Sequence, residues 1–239
     1  MATPLAPQQG SLTRAYLGAT NLLAEELLSY GVTRRVEVLE AMSFNTAGML
    51  RAPGNQSGSV RCATYLADEA TIFNSPGSTS GFIIDPSASG NNTILATVPI
   101  VSVGSDIQVG QFRRYEIDDS GTDGLPAIGA SLHDSIGSAI SSAENSAENA
   151  MGAVVIGQQL LMRVVVVAFT GTNAIFQIEH DTTGFAGPTD AFSADLTMTG
   201  TGSDKLVTVA TAAISDTFWR SAITGTFSNL EALITFGIT

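Results

Sequence analysis

The order of apolar and polar positions gives a first part of mixed periods and a second part with a period of two. Leu22, Leu23, Leu27 and Leu28 are spaced to form one helical face. Thr20-Asn21 can cap that helix, Glu25 and Glu26 suit its positive end, and Gly31 stops it. From Val32 the period changes to two, and Val36, Val38 and Leu39 predict a strand. Gly48, Pro53, Gly54 and Gly58 then predict a long loop over 45–58. Val60, Cys62 and Thr64 alternate with Arg61 and Ala63 as a half-buried strand would. Residues 68–73 predict a short helical turn closed by Ser75-Pro76-Gly77. Further strands are expected at 81–84, 93–103 and 109–117, the last two as a hairpin around Gly104-Ser105-Asp106.

A strong break follows at 118–126, rich in Asp and Gly. Residues 131–150 repeat Ser-Ala-Glu-Asn at 142–145 and 146–149, with too little apolar surface to pack firmly. They predict a linker or a solvent-facing helix, and a domain boundary. The expected layout is a flexible N-terminal arm at 1–20, a β domain with a short helix at 21–130, the linker at 131–150 and a β-sandwich at 151–239. In the last part, strand-like runs at Met162/Val164/Val166, Ile175/Gln177/Glu179, 191–198, 206–209, 218–223 and 230–236 are separated by turn residues, as in an all-β sandwich. The run 160–169 is apolar on both alternating sets, which predicts a central strand covered on both faces.

Composition sharpens this picture. The chain has 239 residues, with 10 Lys+Arg against 22 Asp+Glu, a net charge of −12, yet only 13% of residues are charged and 44% are hydrophobic. It is acidic because bases are scarce, and Lys205 is its one lysine. A grip on nucleic-acid phosphates needs a basic stripe and is excluded, and disorder is disfavoured by the hydropathy. A surface so poor in charge is expected to be covered largely by neighbours. The single cysteine, Cys62, leaves no disulfide framework or Cys-based zinc site and is expected to be a small buried side chain. Residues 1–20 lack the apolar core of a secretion signal, and the run 160–169, which contains Arg163, is about half the length of a membrane-spanning helix.

Candidate chemistry is thin. His180, flanked by Glu179 and Asp181, is either a general base or metal ligand, or a turn histidine whose neighbours point to opposite faces. His133 is the other histidine. No Gly-x-Ser-x-Gly elbow accompanies either. Asp118, Asp119 and Asp123 could cluster around Ca²⁺, but their spacing is not that of the helix–loop–helix site. The stretch 199–205 looks like a phosphate loop but lacks its Gly-Lys-Ser/Thr ending and precedes a strand. Asn55 and Asn91 stand in glycosylation patterns that carry no weight without a secretory signal. Trp219, beside Phe218, is either core or, if exposed, a subunit or carbohydrate contact. No catalytic, cofactor-binding or metal site is expected, and no enzyme.

The residues of 160–238 carry a resemblance. A Val-rich strand at Leu161-Met162-Arg163-Val164-Val165-Val166-Val167 is followed by the run from Ala174 to Asp181, the Phe192…Gly200-Thr201-Gly202 strand and turn, and Phe218-Trp219-Arg220…Thr224-Gly225-Thr226-Phe227 running to Phe236-Gly237. This resembles a module at the C-terminus of tailed-phage tail tube (major tail) proteins. The resemblance implies a jelly-roll or immunoglobulin-like β-sandwich there. In order and spacing, the first half is similar to the tube domain itself, although its N-terminal arm and leucine-rich segment depart from that pattern. The family implies a structural virion protein assembled in the host cytoplasm, stacking as hexameric rings around a channel. DNA would pass that channel without specific binding, other tail or capsid proteins would be partners, and no membrane is involved. A capsid decoration or turret subunit, a carbohydrate-binding module using Trp219, and a hydrolase using His180 are the alternatives.

Overall fold

The computed structural model describes residues 14–21, 27–42, 49–64, 79–85, 91–99, 102–106, 114–118, 127–182 and 184–239. These residues are mainly β, as expected, and no helix occurs among them. The N-terminal strands are β1 (Arg14–Leu17), β2 (Thr20–Asn21), β3 (Leu27–Met42), β4 (Met49–Thr64), β5 (Thr79–Asp85), β6 (Asn91–Pro99), β7 (Ser102–Asp106) and β8 (Arg114–Asp118). They are followed by β9 (Ala127–Asp134), β10 (Glu144–Asn145), β11 (Asn149–Ala150), β12 (Gln159–Asp181), β13 (Thr189–Asp190), β14 (Leu196–Met198), β15 (Gly202–Val209) and β16 (Phe218–Ile238).

One four-stranded antiparallel sheet has the order β3-β4-β8-β7. Two expectations change here. Leu27 and Leu28 lie in β3 rather than in a helix, while 22–26 fall outside the described residues. Most of the expected loop 45–58 belongs to β4, which pairs with β3 from Leu27↔Thr64 to Met42↔Met49. Cross-strand hydrogen bonds satisfy this backbone, and such non-local pairing overrides a weak helical preference. Pro53 and Gly54 are tolerated because, among the described residues, β4 has β3 as its one strand neighbour at that level, with a register shift between Val36 and Val38. The expected hairpin of 93–103 with 109–117 is displaced: β6 pairs with β5 and β9 instead, and β7 and β8 pair from Ser102↔Asp118 to Asp106↔Arg114. The helical turn expected at 68–73 lies outside the described residues.

The other sheet has twelve strands among the described residues. Its main path is β13-β12-β16-β9-β6-β5-β1-β2, with β14 and β15 also on β12 and β10 and β11 also on β16. Residues 131–150, read from sequence as linker or helix, contain the end of β9 and both short strands that pair with β16. The helix of that reading is replaced by extended chain.

Two pairs of runs expected as separate strands merge: 162–166 with 175–179 in β12, and 218–223 with 230–236 in β16. β12 and β16 form one ribbon from Leu160↔Ile238 to Asp181↔Phe218. Trp219 and Phe236 are seventeen residues apart on β16, about 56 Å along a straight strand, yet their ring centroids are 4.9 Å apart. The ribbon therefore folds over, and its two ends face each other across a shared apolar core. Register shifts between Val166 and Asn173 mark the bend. Two glycines permit it. Gly225 has φ +120°, and a β-carbon there would lie 2.5 Å from the Asn173 carbonyl oxygen. A β-carbon on Gly171 would collide with the Thr226 carbonyl.

The core inside the fold includes Leu160, Met162, Val164, Phe176, Ile178, Trp219, Leu230, Ile234 and Phe236, with Phe192 edge-on to Phe236. The opposite face of β12 and β16 is covered as well. Tyr16 and Ile83 pack on Val165 and Leu233, and Leu95 and Ala127 on Leu161. The prediction that 160–169 is covered on both faces holds for Leu160 through Val166.

Candidate functional site

The polar groups most capable of chemistry gather where the ribbon ends, at Glu179-His180-Asp181 opposite Phe218-Trp219-Arg220. Alternation sends the neighbours to opposite sides. His180 turns inward, 8% exposed, and its Nδ1 lies 2.8 Å from Asp216 Oδ2. Its ring sits 5.2 Å from that of Trp219. Glu179 faces the other way and accepts a 2.6 Å hydrogen bond from Arg220 Nε, its partner across the ladder. The Arg220 guanidinium also lies 4.4 Å from the centroid of Phe185. Phe185 has φ +43° in the connection after β12.

Asp181 organises that connection. It accepts hydrogen bonds from the Thr182 and Gly187 amides, which hold its carboxyl below the usual aspartate range. Glu148 accepts the amide of Gly184. These groups satisfy one another around a turn. Among the described residues, the hydrogen-bond partner of His180 is Asp216 and not a serine hydroxyl. No group of three or more His, Cys, Asp or Glu side chains is placed to hold a metal ion among the described residues.

Trp219 is fully buried and donates its indole N–H to the Gly152 carbonyl at 2.9 Å. The carbohydrate reading required it exposed, so that platform is absent and Trp219 is core. His133 is buried on β9, with Nε2 lacking a hydrogen-bond partner among the described residues. Burial pushes its pKa down, and the charges of Glu144 and Asp134 only partly oppose this. The buried Arg163 is pushed down to about 10 by the same cause, with Asp204 opposing. Gly81 of β5 leaves room for it, because a β-carbon there would overlap the guanidinium.

The other sequence candidates scatter. Asp118 ends β8, paired with Ser102 and Arg61, while Asp119 and Asp123 lie outside the described residues. The 199–205 stretch is a bend running into β15, not a turn into a helix. Cys62 lies in β4 between Tyr30 and Ile117, and its side chain is outside the described ones. Asn55 and Asn91 lie in β4 and β6.

What sequence reasoning missed is an apolar surface. Val207 and Val209 of β15 are 43% and 53% exposed, and Val155 and Ile156 are 61% and 68% exposed. The turn 155–158 joins them, because Gly157 donates to the Ala210 carbonyl and Ala210 to that of Gln158. Alternation in 206–209 was the available signal, but it does not say which face is left uncovered.

No protein-family model matches the chain. No curated protein matches it either. Among solved structures, a chain of the "Virion of native gene transfer agent (GTA) particle" is similar over 48% of this chain and 95% of that chain, with 17% identity and a TM-score of 0.37.

Proposed function

We propose that the chain is a non-catalytic structural virion protein, and specifically a tail tube subunit that stacks in rings around a DNA-conducting channel. The observation that carries this reading is the β3–β4 ribbon. β8 pairs with β4 only over Arg61–Thr64, while β3 and β4 continue together to Met42↔Met49. A two-stranded ribbon is marginal by itself and gains stability when laid against another surface. The surface offered by copies of this chain is complementary in charge. The ribbon holds Arg34, Arg35, Arg51 and Arg61 against Glu37 and Glu40, a net positive charge, whereas residues 127–239 hold ten acids and three bases.

The acidic, lysine-poor composition suits a wall that DNA slides past, since phosphate meets repulsion and no grip. The tail-tube-like motifs of 160–238 point the same way. Under this reading residues 151–239 form the outer β-sandwich module, and other tail or capsid proteins are the further partners. A capsid decoration subunit is the alternative within the class. Electron microscopy of the purified full chain decides between them: rings or tubes of six-fold symmetry are expected, and trimers or pentamers would select decoration. A chain that stays monomeric at high concentration sinks both. Replacing 36–56 by a short turn is expected to abolish assembly while leaving the C-terminal core folded.

A further inference from the structure

We propose that residues 142–149 are an autoinhibitory strap, which keeps the outer edge of β16 from adding a strand of another copy of this chain. β12 pairs with one edge of β16 along the whole ribbon, from Ile238 to Phe218. β9 meets the other edge from Leu233 to Ile238. Residues 218–224, Phe-Trp-Arg-Ser-Ala-Ile-Thr, lie beyond it. This segment is rich in strand formers, has no Pro or Gly, and carries one charge, Arg220, which Glu179 engages. A bare edge of that composition is a template for pairing with an identical segment.

The repeated Ser-Ala-Glu-Asn covers this edge point by point. Glu144 and Asn145 pair with Ile223 and Ala222, and Asn149 and Ala150 pair with Trp219 and Phe218. Between them, the Ser146 amide donates to the Ser221 carbonyl, and the Ser146 hydroxyl oxygen accepts the Ser221 amide, both at 2.9 Å. A side chain thus takes the amide that a strand carbonyl would accept. The strap satisfies β16 without continuing the sheet. Each of its strands is two residues long, Glu144 and Glu148 are exposed, and Glu148 turns to the Gly184 amide. Short strands and charge blunt a sheet edge. Ala143 and Ala147 are exposed as well, so releasing the strap uncovers β16 and leaves the core in place. The strap acts on any second copy, whether or not the chain forms rings.

Sedimentation of the full chain tests this, at a concentration where the wild type is monomeric and in salt that screens the charge of −12. Ser146→Pro removes the amide and the hydroxyl together. It is expected to raise self-association at least tenfold with the thermal midpoint nearly unchanged, and to add intermolecular strand signal in the infrared amide band. Ser146→Ala keeps the backbone and is expected to speed hydrogen exchange at the Ser221 amide about tenfold, with a smaller rise in association. A lock supplies the reverse. In a Cys62→Ser background, Asn145→Cys with Ala222→Cys joins facing residues, which lie within about 5.5 Å in an antiparallel pair. Oxidised, the lock is expected to return the Ser146→Pro variant to wild-type association, and reduction should undo this. Exchange at Ser221 unchanged in both serine variants, an edge freed without a rise in association, or association that the oxidised lock does not suppress overturns the strap. Each of these results leaves the tube reading to its own test by microscopy.

Discussion

The two halves of β12 share one partner strand and differ in what covers them. From Leu160 to Val166 every residue is buried, while from Ala174 to His180 burial alternates. The first half has the folded-over ribbon on one face and Tyr16, Ile83, Leu95 and Ala127 on the other. Among the described residues, the second half has the shared core on one face, and Gln177 and Glu179 meet polar partners at Asp195 and Arg220 on the other. The apolar run and the alternating run are two solutions to the same ladder. The difference teaches that the N-terminal strands are structural partners of the C-terminal ribbon, since without them Leu161, Val165 and Leu233 would lie bare.

Trp219 tests what the halves have in common, because it touches His180 at one end of the ribbon and Phe236 near the other. Trp219→Ala is expected to cost about 3–5 kcal/mol in urea unfolding, the largest single effect, by opening a cavity and orphaning the Gly152 carbonyl. A cost below about 1 kcal/mol would mean that the ribbon ends do not share a core. The next contrast separates the halves. Leu233→Ala, under the N-terminal strands, is expected to cost about 3 kcal/mol. Ile175→Ala, on the outward face of the alternating half, should cost about 1 kcal/mol or less. Equal costs would mean that the two halves of β12 are covered alike. At the junction, Gly225→Ala is expected to cost roughly 2 kcal/mol, because the left-handed backbone and the Asn173 carbonyl both resist a β-carbon.

His133 adds a pH term. Its folded pKa is lowered by burial, so the unfolded chain binds the proton more readily. The stability this group supports is present above about pH 6.5 and is lost as pH falls from there through the lower folded value. His133→Gln should flatten the pH dependence of the unfolding midpoint in that window, by at most ~1.4 kcal/mol per pH unit. An unchanged profile would place the acid sensitivity elsewhere.

Periodicity made the two environments of β12 legible, because an unbroken apolar run and an alternating one are direct records of coverage. It could not show that they form one strand. Thr170-Gly171-Thr172-Asn173 has the composition of a turn, and the opposing Gly225-Thr226 lets both strands bend while still paired. Leu27 and Leu28 satisfied a helical spacing, but Leu27 pairs with Thr64 and Leu28 sits in the register shift before Ser29↔Ala63, with partners more than thirty residues away, which no local pattern encodes. At the candidate site, the flanking acids of His180 were visible and their opposite directions followed from alternation. Asp216, which holds the ring, is 36 residues distant and was invisible.

The smallest effect concerns how the N-terminal cover is held. Arg14 of β1 pairs with Asp134 of β9 at 2.8 Å, with side chains 30% and 34% exposed, and also donates to the Ile136 carbonyl. Partly exposed pairs contribute little, because solvent screens the attraction and two side chains must be ordered. Arg14→Ala is therefore expected to cost only about 0.2–1 kcal/mol, shrinking as salt is raised. Tyr16, buried against Val165 and Leu233, should cost several times more when cut to Ala. Together the two variants, measured by urea unfolding at low and high salt, tell whether the covered half of β12 is sealed by apolar contact or clamped by charge. A loss above about 2 kcal/mol for Arg14→Ala, with a smaller one for Tyr16→Ala, would reverse that assignment.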